Sequence, residues 1–213
     1  GMECDQGFFL THGWDKKLPS RAVENLGSDF LFPEIKYKFH ACCHGLHSFL
    51  EALEELKQEN NFNPETIEEI AIETNPSWLK VCNIEKPKTG LESKFSYKLT
   101  AAMSIYGKDT ADLDTYNDDI CFDDKMNNIR DKVKVIPNDQ LTNTQSLISI
   151  KDGSRDIKNK HDLSDKIDQN ILENKIVNKS ASLLSKNKSN EISKMLNIPS
   201  ESKVSSIVDC LVS

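Results

Sequence analysis

The sequence lacks several features that would assign a function directly. None of its apolar runs approaches the length that a membrane-spanning helix needs. It contains neither a GxGxxG nor a GxxxxGK[ST] pattern, so the common phosphate-binding loops are excluded. Its six cysteines form no CxxC pair and have no regular spacing, which favours reduced thiols in a cytoplasmic protein. No segment is repeated along the chain.

Apolar residues are also scarce, and acidic residues outnumber basic ones. Hydrophobic residues make up 37% of the 213 positions and charged residues 29%, a lean composition that predicts solvated surface or a loosely packed tail. The formal net charge is −7, with 34 acidic against 27 basic side chains. Because an acidic surface repels phosphate backbones and anionic lipid, we expect neither nucleic acid nor a membrane as a partner. Local basic sites can still bind a small anion.

Alternation and helical periodicity predict the first elements. Ile35, Tyr37 and Phe39 alternate, which predicts a strand over about 34–39. Between Cys43 and Asn60, apolar residues recur at spacings of three and four, so an amphipathic helix is expected there, followed by a strand over about 67–74. The apolar positions of the helix are Leu46, Phe49, Leu50, Leu53 and Leu56, and the charged positions of its other side are Glu51, Glu54, Glu55 and Lys57.

The later elements mix helices and strands without a regular βαβ alternation. We expect helices over Trp78–Cys82, Ser93–Tyr106, Asp112–Tyr116 and Asp123–Arg130, and strands over Lys132–Ile136 and Ser146–Lys151. Asp152-Gly153 predicts a hairpin turn that continues to about Lys158. The order favours an α+β fold, with helices packed on an antiparallel or mixed sheet.

Changes in composition divide the chain into three parts. Residues 1–27 are expected to form a helical lead-in whose short helix ends at Gly27. Residues 28–162 form the predicted α+β domain. Residues 163–213 are rich in Asn, Ser and Lys but keep apolar residues at helical spacing, which predicts two or three polar helices.

The segment from Lys36 to His47 concentrates reactive side chains. It holds two lysines, three histidines and two cysteines within twelve residues, where the predicted strand runs into the predicted helix. Backbone N–H groups and the positive end of a helix dipole favour an anion at such a junction. A lysine adds attraction for a carboxylate, a histidine can move protons, and a cysteine at a helix start can have a lowered pKa.

Structural interpretations of these residues remain open. Lys38 fits a solvated strand lysine, and His47 fits a packed helix histidine as well as a site residue. A third interpretation is a zinc cluster of His40, Cys43, His44 and His47. No second group of ligands is evident in the sequence, so we expect no metal. The acidic run 112–124 lacks the glycine and terminal glutamate of a calcium loop and is interpreted as solvated surface.

Three short motifs, in order, resemble the MmgE/PrpD family. Lys38-Phe39-His40-Ala41-Cys42-Cys43-His44-Gly45-Leu46-His47 is similar to a family pattern in which a histidine follows a lysine by nine positions. Glu92-Ser93-Lys94-Phe95-Ser96 resembles a family Glu-Ala-Lys-Phe-Ser segment at a helix start. Ile148-Ser149-Ile150-Lys151-Asp152-Gly153 resembles the strand and turn that follow.

The resemblance implies a lyase that needs no metal or organic cofactor and acts on a small tricarboxylate-like substrate. It implies that Lys38 binds a substrate carboxylate. Cys43 and Lys98 occupy positions where cis-aconitate decarboxylases have histidine and tyrosine, which makes that particular reaction less expected. On this basis the catalytic candidates are Lys38, Cys43 and His47, and the candidates for substrate binding are Lys38, His44 and Lys98.

The resemblance also implies a homodimer and an all-helical domain that supplies the rest of the active site. We expect that domain on a separate chain, with the C-terminal helices of residues 163–213 belonging to it or docking on it. Two hypotheses follow. The chain is the C-terminal domain of a dehydratase or decarboxylase, or it is a non-catalytic remnant that serves as a binding or dimerisation module.

Overall fold

The computed structural model describes residue 8 and residues 25–30, 35–197 and 203–212. The chain divides into two compact units, residues 1–37 and 38–213. In the first unit, residues 25–28 form a turn in which Asn25 and Gly27 have positive φ angles of 58° and 84°. The start of the helix expected to end at Gly27 lies outside the described residues.

The second unit contains a four-stranded sheet. Its strands are β1 (Ile67–Thr74), β2 (Val133–Pro137), β3 (Gln145–Asp152) and β4 (Arg155–Asp162). Their order is β2-β1-β3-β4; β1 and β2 are parallel, and the other neighbours are antiparallel. These strands confirm the three later strand predictions and the hairpin at Asp152-Gly153, where Gly153 has a φ of +59°.

The helices of this unit are α1 (His47–Glu59), α2 (Pro76–Leu79), α3 (Gly90–Ser93), α4 (Tyr97–Ile105), α5 (Asp124–Asp131), α6 (Gln169–Leu184), α7 (Lys186–Asn197) and α8 (Val204–Val212). Two short 3₁₀ helices cover His44–Leu46 and Asp119–Cys121. The last three α-helices confirm the helical prediction for the C-terminal part. The combination of helices and a mixed sheet confirms the α+β class.

The core lies where α1 packs against β3, β4 and α4, and where α4 packs against α5 and β2. All five apolar residues of the predicted α1 stripe are buried there. The ring of Phe49 lies 5.2 Å from the ring of Tyr97, centroid to centroid, which joins α1 to α4. Within the described residues, no helix combines the length and apolar character that crossing a membrane requires.

Helix starts differ from the predictions where a side chain caps the backbone. The hydroxyl of Ser96 accepts a hydrogen bond from the Leu99 N–H at 3.2 Å and begins a new helix, so the predicted helix over 93–106 is split into α3 and α4. Asn75 caps the Ser77 N–H with Pro76 at the first helical position, which moves the next helix to Pro76–Leu79.

Two further predictions are wrong. Residues 112–116 form turns, because the carboxylates of Asp109 and Asp112 accept hydrogen bonds from backbone N–H groups two residues ahead and thereby compete with a helix. The described residues 35–39 form no strand: they are paired with none of the four strands of the described sheet, and alternation alone supplies no pairing partner.

Candidate functional site

The segment from Lys38 to His47 is a loop that enters α1 through a 3₁₀ turn. Two backbone hydrogen bonds tie it to neighbouring loops: Ala41 N–H donates to the Thr110 carbonyl at 2.8 Å, and Cys43 N–H donates to the Lys94 carbonyl at 2.9 Å. The expected strand-to-helix junction is therefore a loop-to-helix junction. It still places the reactive side chains at the N-terminal end of α1.

Three histidines of this segment form a continuous row of rings. The ring of His47 contacts that of His40 edge-on, with centroids 5.2 Å apart and planes at 74°. On its other side it lies 5.4 Å from the ring of His44, which in turn lies 6.2 Å from the ring of Trp78. The central ring of the row belongs to His47.

His47 is buried and electrically neutral at ordinary pH. The residue is only 1% exposed, and its Nε2 atom has no hydrogen-bond partner among the described residues. Burial lowers its pKa to about 3, and the electrostatic interactions of its ring with His40, His44 and Lys38 act in the same direction. A hydrogen bond with the Cys42 backbone opposes them only in part. The chemical result is a buried imidazole nitrogen with an unused lone pair.

Lys38 is exposed and begins the loop that carries these histidines. Its positive charge reaches both His44 and His47: burial lowers the pKa of His44, and the charge of Lys38 lowers it further. The structure thus brings together three of the predicted residues, Lys38, His44 and His47. An ammonium group beside neutral imidazoles is suited to binding a carboxylate while a proton moves nearby.

The two adjacent cysteines have different surroundings. Cys42 is buried, and burial raises the pKa of its thiol to about 12, so the thiol of Cys42 stays protonated. Cys43 is half-buried, and its thiol shares a hydrogen bond with the buried thiol of Cys82. Cys42, Cys43 and Cys82 are free thiols, as is Cys121. The structure therefore pairs Cys43 with a residue that no sequence motif indicated.

The remaining predicted residue, Lys98, lies on α4. Its Nζ forms an ion pair with Oε1 of Glu85 at 3.4 Å. The preceding residue, Tyr97, is buried and directs its hydroxyl to the site segment, where it donates a 2.7 Å hydrogen bond to the Gly45 carbonyl. Burial raises the pKa of Tyr97. The aromatic residue next to Lys98 is thus the one that contacts the loop.

A second group of polar side chains lies behind the histidine row. Nδ1 of His40 lies 2.7 Å from the hydroxyl of Thr110, and Nε2 of His40 lies 3.2 Å from Oε1 of Glu51. The periodicity of α1 placed Glu51 on the solvated side, but the residue is only 4% exposed. Its position one turn after His47 was the signal that could have found it, since residues four apart share a helix face.

The zinc interpretation required His40, Cys43, His44 and His47 as ligands. The described residues contain no group of three or more histidine, cysteine, aspartate or glutamate side chains that could hold a metal ion. In particular, both ring nitrogens of His40 already lie against Thr110 and Glu51.

Comparison with known families agrees with the three sequence motifs. The family described as MmgE/PrpD C-terminal domain matches residues 40–197. Because the match spans most of the chain, this chain belongs to the MmgE/PrpD C-terminal domain family. The matched range includes the histidine row and all four strands, and Lys38 lies two residues before its start. A comparison with curated proteins gives no match.

Proposed function

We propose that the loop Lys38–His47 is the carboxylate-binding and proton-transferring edge of a cofactor-independent lyase that acts on a small polycarboxylate. Membership of the MmgE/PrpD C-terminal domain family supports the reaction class. The observation that carries the proposal is the buried, neutral His47, whose Nε2 atom lacks a partner among the described residues and lies under the influence of Lys38.

The electrostatics supply a mechanism. A substrate carboxylate bound by Lys38 cancels part of the positive charge that lowers the pKa of His47. Substrate binding would therefore raise the pKa of His47 above its value in the free chain, and a higher pKa makes the imidazole a stronger general base. Nε2 of His47 would then accept the proton from the carbon next to a carboxylate. In a dehydration, the electron pair of that C–H bond forms the double bond, and the hydroxyl on the neighbouring carbon leaves as water after a second group protonates it; that group would belong to an all-helical domain.

Turnover tests the proposal directly. The chain is incubated with 2-methylcitrate and with cis-aconitate, alone and together with an all-helical domain of the same family, and the products are followed by absorbance and mass spectrometry. We expect turnover only in the combined sample, since half of a convergent site cannot orient a substrate. Absence of turnover in every sample would reject the lyase and leave a non-catalytic binding or dimerisation module.

Binding provides a test that does not need turnover. The chain, labelled with ¹⁵N at histidine, is titrated with citrate at neutral pH. We expect the Nε2 resonance of His47 to move toward that of a protonated nitrogen as citrate binds. The same titration of Lys38→Ala should show weaker binding and a smaller movement. If citrate does not change the chemical shift of the His47 Nε2 resonance in the native chain, the proposed role of His47 is contradicted.

A further inference from the structure

Glu51 is a buried carboxylate in which both oxygens are used. Oε1 faces Nε2 of His40 at 3.2 Å, and Oε2 accepts a hydrogen bond from the ammonium of Lys175 on α6. Burial by itself would raise the pKa of Glu51, but the hydrogen bonds from His40 and Lys175 outweigh it and hold the pKa at about 2. Glu51 is therefore ionised, and burying a charge in this way costs free energy that a solvated glutamate would not incur.

The ionised carboxylate determines which nitrogen of His40 carries a proton. A carboxylate only accepts hydrogen bonds, so Nε2 of His40 must donate to it. Nδ1 of His40 is held at 2.7 Å from the buried hydroxyl of Thr110. With both nitrogens engaged, the ring of His40 is fixed in orientation, and its edge contact with the ring of His47 is fixed with it.

Helix α6 completes the same arrangement from a distant part of the chain. Lys175 lies above the ring of Phe39, with Nζ 5.2 Å from the ring centroid. Lys179, one turn later, donates to the Ala111 carbonyl at 2.5 Å, and Ser182 donates to the same carbonyl at 3.2 Å. One face of α6 therefore contacts the loop that carries Thr110, and a cavity of about 440 Å³ lies between α6, α1 and this loop.

We propose that Glu51 and Lys175 are positioning residues of the site: acting through His40, they fix the orientation of the His47 ring and keep its Nε2 lone pair available to substrate. The inference rests on the proposed function only in naming His47 as the proton acceptor. It extends the site to α6, because Lys175 is the outer partner of the buried carboxylate. Neither residue is expected to touch substrate.

The test is ¹⁵N NMR of the ring nitrogens in the full chain labelled at histidine, in two variants with matched controls. Glu51→Gln keeps the shape of the side chain but replaces one acceptor oxygen by an NH₂ donor. Glu59→Gln, an exposed position on the same helix, is its control. Lys175→Met removes the outer cation, and Lys186→Met, exposed at the start of α7, is its control. Lys175→Arg should restore the native spectrum, since a guanidinium also donates to a carboxylate.

In the native chain we expect His40 to be protonated on Nε2, and His47 to be protonated on Nδ1 with Nε2 free. In Glu51→Gln, His40 should lose its single tautomer and the Nε2 resonance of His47 should shift, with no such change in Glu59→Gln. Lys175→Met should shift the His47 resonance although Lys175 lies on another helix. If Glu51→Gln does not fold, the His47 resonance of Lys175→Met tests the inference instead.

Spectra of His47 that are identical in the native chain, Glu51→Gln and Lys175→Met would overturn the inference. The outcome is separate from that of the proposed function, because no substrate is present. If the combined sample described above turns over substrate, Glu51→Gln should lower kcat about tenfold and leave KM nearly unchanged, as expected for a residue that acts through the base. A rise in KM alone would also contradict a positioning role.

Discussion

Lys38 is the residue whose role can be separated most cleanly from folding, because its side chain is exposed while its charge reaches His44 and His47. We expect Lys38→Ala to weaken citrate binding about tenfold, the loss typical of one charge-assisted hydrogen bond. Isothermal titration calorimetry measures the affinity for citrate, and thermal unfolding measures the stability of the fold. Lys166→Ala, an exposed lysine after β4, controls for the change in net charge. A fall of many degrees in the melting temperature of Lys38→Ala would instead show that Lys38 is structural.

His47 makes the free energy of unfolding depend on pH. Its pKa is lowered from 6.5 to about 3 in the folded chain, so between these values the unfolded chain binds the proton and the folded chain does not. The contribution of His47 to stability is therefore fully present above pH 6.5 and is lost as the pH is lowered toward 3, by at most a few kcal/mol. The pKa of His44 is also lowered and adds to the same trend.

The variant His47→Asn isolates this contribution. The asparagine amide keeps a donor near the Cys42 backbone but cannot titrate. Urea unfolding between about pH 6.5 and about pH 5 should show a shallower loss of stability in the variant, since carboxylates ordinarily titrate below this range. Equal slopes in the native chain and the variant would mean that His47 is not buried as a neutral imidazole.

At the scale of elements, the junction between the site loop and α1 depends on the absence of a side chain at Gly45. A Cβ atom there would lie 2.5 Å from Cε3 of Trp78 and 2.8 Å from Sγ of Cys82. We expect Gly45→Ala to destabilise the fold by about 1–3 kcal/mol through overpacking. Differential scanning calorimetry would record the lower melting temperature.

A second substitution checks the cause of that loss. Adding Trp78→Leu to Gly45→Ala removes the ring atoms nearest to the new methyl group, so part of the lost stability should return relative to Trp78→Leu alone. The cycle therefore predicts a favourable coupling between the two changes. Additive losses would place the cost of Gly45→Ala elsewhere, for example in the backbone.

At the scale of the whole molecule, the C-terminal helices expose apolar side chains. Seven such residues on α6, α7 and α8 are each at least 46% exposed: Ile171, Leu183, Leu196, Val204, Val208, Leu211 and Val212. Exposed apolar surface of this kind favours association. We expect the sedimentation coefficient of the chain to rise with concentration, and the double variant Val208→Lys/Leu211→Lys to reduce that rise.

Leu91→Lys provides the control for this experiment, because Leu91 is also exposed but lies on α3. It should leave the association unchanged if the C-terminal helices form the contact. A chain that stays monomeric at every concentration would contradict the expected self-association. If the all-helical domain covers these helices, adding it should compete with self-association.

The extent of sequence-based prediction varied between the elements and the site. The apolar stripe of α1, strands β1 and β3 and the turn at Asp152-Gly153 were predictable because each is encoded by neighbours in the chain. Lys38, His44 and His47 could be named as candidates from the sequence because they lie within ten residues of one another. Glu51 was missed, since its partner Lys175 is 124 residues away. The contact of Tyr97 with Gly45 spans 52 residues and left no local pattern.

The sequence by itself determined the α+β class, the family motifs and the concentration of lysine, histidine and cysteine before α1, because periodicity and spacing are local properties of the chain. Only the tertiary structure decided that residues 35–39 are not a strand and that Glu51 is buried. It also decided that Tyr97, the residue before Lys98, contacts the loop at Gly45. The reason is physical: strand pairing and the burial of a charge depend on partners that folding brings from far along the chain.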